Sequence, residues 1–294
     1  MRLKPRAPRK YDAWGLLWLY IARNFRVLTY FRVSFFTGLL SAACGALTFL
    51  FIGQALLGAG GRANIGGDYT SFLIIGMIFN QLYGTALRAP YDAIHRAYWS
   101  AQLESIVLSP APLTLLVNGE VLWALLNSLV RVCLYVVLGF AFGMRLSVSA
   151  TGLGVLAAAF AVGLVGALGL GLLSAATFSL LNAKGNTDPV QWGVSTLQSL
   201  ITGIYFPVTV LPRWLQYIAL GLPHTYALDA ARRFMVPGYG GVTLPIHALC
   251  PGYPLALDFA ALTILALLLY WLGRRMFQAG IARARKDGSL SRWT

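Results

Sequence analysis

Long apolar stretches separated by short polar segments run through the chain, and their lengths predict helices that cross a membrane. A bilayer core requires about 20 consecutive apolar residues in a helix. Six stretches approach or exceed this length: residues 33–58, 69–87, 113–142, 150–180, 190–206 and 254–273. The pattern therefore predicts an all-α polytopic membrane protein with six transmembrane helices.

Residues 1–32, which precede the first span, contain apolar positions at helical spacing. These positions are Trp14, Leu17, Trp18, Ile21, Phe25 and Leu28, with Arg23, Asn24 and Arg26 between them. Tryptophan and arginine on an amphipathic helix are typical of a helix that lies in the membrane interface. Anchoring to the membrane and docking of a partner protein both fit this pattern.

Two segments between the spans have distinct patterns. Residues 88–112 carry several charges and end at Ser109-Pro110-Ala111-Pro112, which predicts a polar connector with a helical centre and a proline stop. Residues 207–253 are apolar but contain six prolines. Such a segment is typical of short re-entrant or interfacial helices, here between spans five and six, rather than of a straight span.

Composition excludes a soluble domain. Hydrophobic residues make up 58% of the chain and charged residues 11%, whereas about 25% of the residues are charged in ordinary globular domains. The net charge of +14 would indicate nucleic-acid binding in a soluble protein. In a membrane protein it indicates cytoplasmic loops, where Lys and Arg collect. The three cysteines, Cys44, Cys133 and Cys250, lack the paired spacing of a disulfide framework or a zinc site.

The distribution of the 23 basic residues predicts the orientation of the chain. Six spans place both termini on one side, and 17 basic residues fall on that side, eight of them in residues 1–32 and six in residues 274–294. Five fall on the other side, and the remaining one, Arg131, lies within a predicted span. The positive-inside rule then predicts cytoplasmic termini. The spans and this orientation divide the chain into three parts. These are a cytoplasmic and interfacial segment, 1–32, a transmembrane domain, 33–273, and a basic cytoplasmic tail, 274–294.

The sequence lacks the motifs of common enzymes. It contains no Gly-x-x-x-x-Gly-Lys-[Ser/Thr] phosphate loop and no Gly-x-Ser-x-Gly nucleophile elbow. The histidines, His95, His224 and His247, have no carboxylate or cysteine partners at metal-ligand spacing. We therefore expect no catalytic residues, no metal site and no cofactor in this chain.

Two ionisable residues, Glu120 and Arg131, lie within the third apolar stretch. Their spacing puts them on nearly the same face of a helix but about 16 Å apart along its axis, so they cannot pair with each other. A lone charge at mid-bilayer costs about 2.5–3.5 kcal/mol, and such residues usually face protein or water. Glu120 fits either a charge near a helix end or a functional role. Arg131 fits either a partner on a neighbouring helix or a place on a cavity wall.

Two motifs carry a resemblance to a known family. The first is Ser100-Ala-Gln-Leu-Glu104-Ser-Ile-Val-Leu-Ser109-Pro110, and the second is Gly203-Ile-Tyr-Phe-Pro207-Val-Thr-Val-Leu-Pro212, followed by Leu222-Pro223-His-Thr-Tyr226 and Arg232. They are similar to the Gly-Thr-Leu-Glu-x-Leu-x-x-Ser-Pro, Phe-Pro-x-x-x-Leu-Pro and Pro-x-Thr-Tyr…Arg segments of the membrane (permease) subunit of type-2 ABC exporters. With six spans and an amphipathic first helix, the chain resembles this family of drug, lipid and polysaccharide export permeases over essentially its whole length.

The resemblance implies a homodimer of two permease copies, with two copies of an ABC ATPase docked from the cytoplasm. ATP and Mg²⁺ would bind to the ATPase subunits. The segment around Arg96–Leu108 would be a coupling helix in a groove of the ATPase, with its contact residues at Arg96, Trp99, Leu103, Glu104, Ser109 and Pro110. A solvated or interfacial loop helix is the alternative for this segment.

The resemblance also implies that the segment from Pro207 onward closes the path on the external side. The residues of this outer gate and re-entrant segment would be Tyr205, Phe206, Pro207, Leu211, Pro212, Trp214, Pro223, Tyr226 and Arg232. Its aromatics would form a constriction, although aromatics also gather at membrane interfaces without any gating role.

We therefore expect an ATP-driven exporter of an amphipathic, drug-like or lipid substrate in a bacterial or archaeal cytoplasmic (inner) membrane. Export of a lipid-linked glycan or polysaccharide is the main alternative. Two other classes stay open: an ion-coupled secondary transporter, which an inverted three-span repeat would favour, and a membrane scaffold without transport activity.

Overall fold

The computed structural model describes residues 13–58, 68–109, 113–180, 188–241 and 254–286, and every regular element in these ranges is helical. The helices are α1 (Ala13–Tyr30), α2 (Arg32–Gly58), α3 (Tyr69–Trp99), α4 (Leu103–Leu108), α5 (Leu113–Ala141), α6 (Ala150–Leu180), α7 (Pro189–Ile201), α8 (Arg213–Ala219), α9 (Pro223–Met235) and α10 (Pro254–Lys286). A 3-10 turn at Val208–Val210 precedes α8. The all-α prediction is confirmed.

Five helices in the described ranges are long and apolar enough to cross a membrane: α2, α3, α5, α6 and α10. They correspond to five of the six predicted spans. The remaining one, 190–206, contains α7, whose 13 residues extend about 20 Å, less than the ~30 Å hydrocarbon core. After Ile201 the backbone leaves the helical conformation, and Gly203 takes a φ of +81°. The six-span count and the cytoplasmic termini stay predictions.

Helix α3 is longer than the second predicted span, because it continues through Pro90 to Trp99. Residues 88–99 of the predicted connector 88–112 therefore belong to the same helix as the second span. The prediction ended the span at its first charge, but the helix is amphipathic at this end. Tyr91, Ile94 and Tyr98 are buried on one face, so the helix continues by packing its apolar face while its charges occupy the other.

Helix α10 also exceeds its prediction. It has 33 residues and ends at Lys286, so the predicted cytoplasmic tail begins as a continuation of the last helix. Phe277 and Ala284 are buried beyond the end of the predicted span at 273. These contacts explain why the helix persists into the basic segment.

Helix α6 lies at the centre of the fold and packs most extensively against α10 and α3. The contact with α10 is between backbones: a Cβ at Gly169 would lie 2.4 Å from Tyr270 N, and a Cβ at Gly273 would lie 2.1 Å from Gly169 O. Small residues let transmembrane helices approach closely in this way. The Gly- and Ala-rich composition of α6 is therefore required by its neighbours.

The apolar positions predicted for the interface helix divide between two surfaces of α1. Leu17, Ile21 and Leu28 are half-buried, whereas Trp14 and Trp18 are exposed, and so is Phe25. Helix α1 contacts α5 with its half-buried side. The exposed aromatics are available to a membrane interface, as an amphipathic helix with tryptophan requires.

We expect Gly169→Ala to destabilise the fold by about 1–3 kcal/mol, because the added methyl overlaps the α10 backbone and overpacking has this typical cost. The matched control is Gly154→Ala on the same helix, where a Cβ meets no atom within 4 Å. Thermal unfolding of the purified chain in detergent measures both variants. Equal unfolding midpoints for Gly169→Ala and Gly154→Ala would contradict the close contact.

Candidate functional site

A three-residue polar cluster joins α1, α3 and α5. Glu120 of α5 is only 5% exposed; one of its carboxylate oxygens accepts a hydrogen bond from Tyr20 Oη at 2.6 Å. The other forms an ion pair with the Arg96 guanidinium. Burial and the hydrogen bond to Glu120 raise the pKa of the Tyr20 hydroxyl to about 12, so Tyr20 donates throughout the physiological range. Glu120, for which the sequence indicated no partner, is therefore paired with both Tyr20 and Arg96.

A polar groove of about 600 Å³ runs beside this cluster, between α3, α5 and α7. Its walls are rich in charges, amides and hydroxyls: Asn80, Gln81, Thr85, Arg88, Asp92, Arg96, Glu120, Asn127, Ser128, Arg131, Ser195, Thr196, Gln198 and Ser199. We call it the α3–α5–α7 groove. Such a surface, on two helices of membrane-spanning length and the shorter α7, indicates a path or binding site for polar groups.

The groove explains the second intramembrane charge, Arg131. This residue is half-buried and lines both the α3–α5–α7 groove and a smaller adjoining cavity of about 260 Å³, formed with α1 and α2. No carboxylate of the described residues lies within ion-pair distance of Arg131. Of the two possibilities left open by the sequence, the structure places Arg131 on a cavity wall.

Helical spacing could have revealed the groove from sequence. On α3, Gln81, Thr85, Arg88, Asp92 and Arg96 follow one another at intervals of three or four residues, which puts them on one face. On α5 the same intervals connect Glu120 to Arg131 through Ala124 and Asn127. The sequence indicated Arg96, Glu120 and Arg131 but not the shared face, because Arg88 and Asp92 were placed in a polar connector outside the spans. Tyr20 gave no such signal, since its contact with Glu120 joins positions 100 residues apart.

A buried arginine, Arg232, fixes the chain after α7 against α3. Arg232 is 2% exposed, and its guanidinium donates to Phe72 O at 3.2 and 2.9 Å, to Gly203 O at 2.5 Å and to Ile204 O at 2.8 Å. It also lies 3.4 Å from the Phe72 ring centroid. Gly76 of α3 leaves the space for it, because a Cβ there would be 2.5 Å from Arg232 Nη2.

The ABC-2 type transporter family matches residues 15–236, more than half of the chain. The chain belongs to the ABC-2 type transporter family. The match includes α3, α5 and α7, and thus all three walls of the groove. No individually curated protein matches the chain in sequence. This membership confirms the resemblance to a type-2 ABC permease, a membrane component of a transporter that normally works with an ABC ATPase subunit.

The predicted coupling residues of this ABC-2 permease lie in two elements rather than one helix. Arg96 and Trp99 end α3, and after a turn Leu103 begins the six-residue α4. Ala101, in the turn, has a φ of +56°, which breaks the helix between the two parts. Leu103 is buried against α3, and the Ser109 hydroxyl donates to Ile106 O at 2.7 Å after α4 ends. The Glu104 side chain and Pro110 lie outside the described residues.

The predicted gate residues occupy several environments in the permease. The prolines have a structural role: Pro207 precedes the 3-10 turn, Pro212 precedes α8, and Pro223 is the first residue of α9. All three therefore lie where a helix begins, a position that suits the fixed φ of proline. Leu211 is half-buried in the turn between the 3-10 element and α8.

The four predicted gate aromatics do not meet within one copy of the permease. Tyr205 stacks on Phe49 of α2 at 4.2 Å between ring centroids. Tyr226 is buried and donates its hydroxyl to Leu220 O at 3.0 Å. Phe206 is half-buried, and Trp214 is 63% exposed. No ring pair among the described residues joins two of these four, so a constriction formed by them stays a prediction.

We expect Tyr20→Phe to destabilise the fold by about 1.5–3 kcal/mol, the usual range for a hydrogen bond to a charged group. In a Glu120→Gln background the same change should cost less, because the charged acceptor is gone. A double-mutant cycle on thermal or denaturant unfolding measures this coupling. Tyr30→Phe on the same helix is the control, since Tyr30 is exposed. Equal costs in both backgrounds would contradict the coupling.

We expect Arg232→Met to lower the free energy of unfolding by about 3 kcal/mol or more, because three buried carbonyl groups lose their donor and each costs about 1–3 kcal/mol. Arg213→Met is the control, since Arg213 is exposed on α8. Unfolding midpoints and detergent-extracted yields of the two variants should differ clearly. A midpoint for Arg232→Met that equals that of the control would show that the guanidinium is dispensable.

Proposed function

We propose that this permease exports an amphipathic, drug-like or lipid substrate outward across the cytoplasmic membrane, driven by ATP. Membership of the ABC-2 type transporter family carries the proposal. The α3–α5–α7 groove supports it, because it offers polar contacts on a molecule whose surface is otherwise largely apolar. An amphipathic molecule needs both kinds of surface during transfer.

The energy source is a separate ABC ATPase, which binds ATP and Mg²⁺. The sequence contains no phosphate loop of its own, and ABC-2 permeases normally work with such a subunit. In the proposed assembly, two permease copies form a homodimer, and two ATPase copies dock from the cytoplasm. The substrate passes between the two permeases.

The coupling element comprises the end of α3, the following turn and α4. Trp99 is exposed at this end and is available to the ATPase. Arg96 connects the same end to α5 through Glu120, and Glu120 in turn connects it to α1 through Tyr20. A displacement at the ATPase contact would therefore reach α3, α5 and α1 through direct side-chain contacts. Two of these helices, α3 and α5, line the groove.

The location follows from the same proposal. Both termini lie in the cytoplasm of a bacterial or archaeal cell, as the basic residues predict. Helix α1 lies in the cytoplasmic interface, and its exposed Trp14, Trp18 and Phe25 suit that location. The segment from Pro207 through α9 lies towards the external side and closes the path there.

Export of a lipid-linked glycan is the second candidate, and the composition of the groove favours it. Asn80, Asn127, Ser195 and Thr196 are among the amide and hydroxyl groups on its walls. Groups of this kind exchange hydrogen bonds with sugar hydroxyls. A purely apolar drug would leave these groups without partners.

Co-purification with the candidate ATPase, followed by measurement of ATP hydrolysis in vesicles, tests the proposed function. Glu104→Arg should abolish the permease-stimulated hydrolysis while membrane insertion stays intact, because it reverses the charge at the position that resembles the family's coupling motif. Val148→Arg is the control, since it introduces an arginine at an exposed position between α5 and α6, outside both the coupling element and the segment from Pro207 through α9.

Unchanged stimulation by Glu104→Arg would reject the coupling assignment. Substrate uptake that needs an ion gradient and no ATPase would reject the exporter and favour the secondary transporter instead. A panel of amphipathic amines, lipids and lipid-linked glycans, each tested for its effect on the hydrolysis rate, separates the two substrate candidates.

A further inference from the structure

The charges on the α3–α5–α7 groove are not balanced. Of its three arginines, Arg96 is paired with Glu120. Arg88 and Arg131 have no carboxylate within ion-pair distance among the described residues. The one further acidic residue on the wall is Asp92. The groove wall therefore carries three arginines against two carboxylates, and its surplus charge is positive.

A buried amide adds a second indication of a ligand. Gln198 is 2% exposed on the groove wall. Its Nε2 donates to Asn80 Oδ1 at 3.2 Å, but its buried Oε1 has no donor among the described residues. A buried carbonyl oxygen without a donor is costly, and a ligand hydroxyl or a water molecule would satisfy it. The groove is thus able to accept a hydrogen-bond donor as well as an anion.

Apolar surface continues from the groove on two of its three helices. On α5, Val130 is exposed three residues after Asn127, and Leu126 is exposed four residues before Val130. This spacing makes them an apolar strip next to the groove-lining Asn127. On α7, Trp192 and Leu200 are exposed on either side of the polar Ser195–Ser199 turn. A molecule with a polar head in the groove could therefore lay an apolar chain along the same helices.

We propose that the α3–α5–α7 groove binds the head group of an anionic, hydroxyl-bearing amphipathic molecule. Arg88 and Arg131 hold its phosphate or carboxylate, since guanidinium groups bind these anions with charge-assisted hydrogen bonds. Gln198 and the neighbouring hydroxyl groups contact its hydroxyls, and its apolar chain lies against α5 and α7. The role of this binding in transport rests on the proposed function. The positive charge of the groove narrows the proposed substrate class, because it disfavours cationic drugs.

Equilibrium binding to the full chain in phosphatidylcholine nanodiscs tests the proposal without any ATPase. The probes are phosphatidylglycerol and phosphatidylcholine with the same fluorescent acyl chain, and glycerol 1-phosphate as a soluble competitor. We expect the phosphatidylglycerol probe to bind at least about tenfold more tightly than the phosphatidylcholine probe. This preference should fall as NaCl rises, because salt screens exposed charges.

The variants Arg88→Gln and Arg131→Gln should each weaken phosphatidylglycerol binding by about tenfold and phosphatidylcholine binding much less, because the choline cation offsets the charge of its phosphate. A loss of this size corresponds to one charge-assisted hydrogen bond. Arg131→Lys should restore part of the affinity because it keeps the charge. Arg213→Gln is the control, because it removes one exposed positive charge outside the groove.

Equal affinity of the wild-type chain for the two lipid probes would overturn the proposal, even if a variant failed to fold. So would an equal loss of affinity in Arg213→Gln, which would indicate general attraction of anions. If glycerol 1-phosphate displaced the fluorescent probe as strongly as unlabelled phosphatidylglycerol does, the claim that the apolar chain contributes to binding would be refuted. Stimulated ATP hydrolysis without any lipid preference would leave the exporter intact and reject this inference alone.

Discussion

The buried guanidinium of Arg232 is the contact on which the groove depends. It holds the carbonyls of Gly203 and Ile204 beside Phe72 of α3, and so it fixes the point at which the chain leaves α7. Because α7 forms one wall of the groove, its position against α3 sets the width of that site. A buried cation is stable only when its donors are satisfied, and here backbone carbonyls, rather than a carboxylate, supply the acceptors.

Two other constraints hold the remaining walls. The backbone contact of Gly169 with α10 fixes α6, against which α3 packs. At one end of the groove, Glu120 links α5 to α3 and α1 through Arg96 and Tyr20. The polar residues of the groove are therefore held on a rigid frame. This frame places unpaired arginines beside apolar helix surfaces, which is the arrangement that an anionic amphipathic ligand requires.

Several elements could be predicted because their signals are local. Residues 150–180 were predicted as a span and form α6 with the same limits, since apolar character over this length needs no further information. The continuation of α3 past 87 was not predicted, because the first charge was taken as the end of the span and the start of a separate connector. In the structure the charges of Arg88 and Arg96 occupy a groove wall, and burial of Ile94 and Tyr98 on the opposite side keeps the helix intact.

The sequence by itself determined the all-α membrane class, the helix lengths of three of the six predicted spans and the family, because hydrophobic length and motif order are properties of contiguous residues. Only the tertiary structure decided the partners of Glu120 and the role of Arg232. Each of these depends on groups far away in the chain, such as Tyr20 for Glu120 and Phe72 for Arg232. Which distant groups meet is set by helix packing, and no local pattern encodes it.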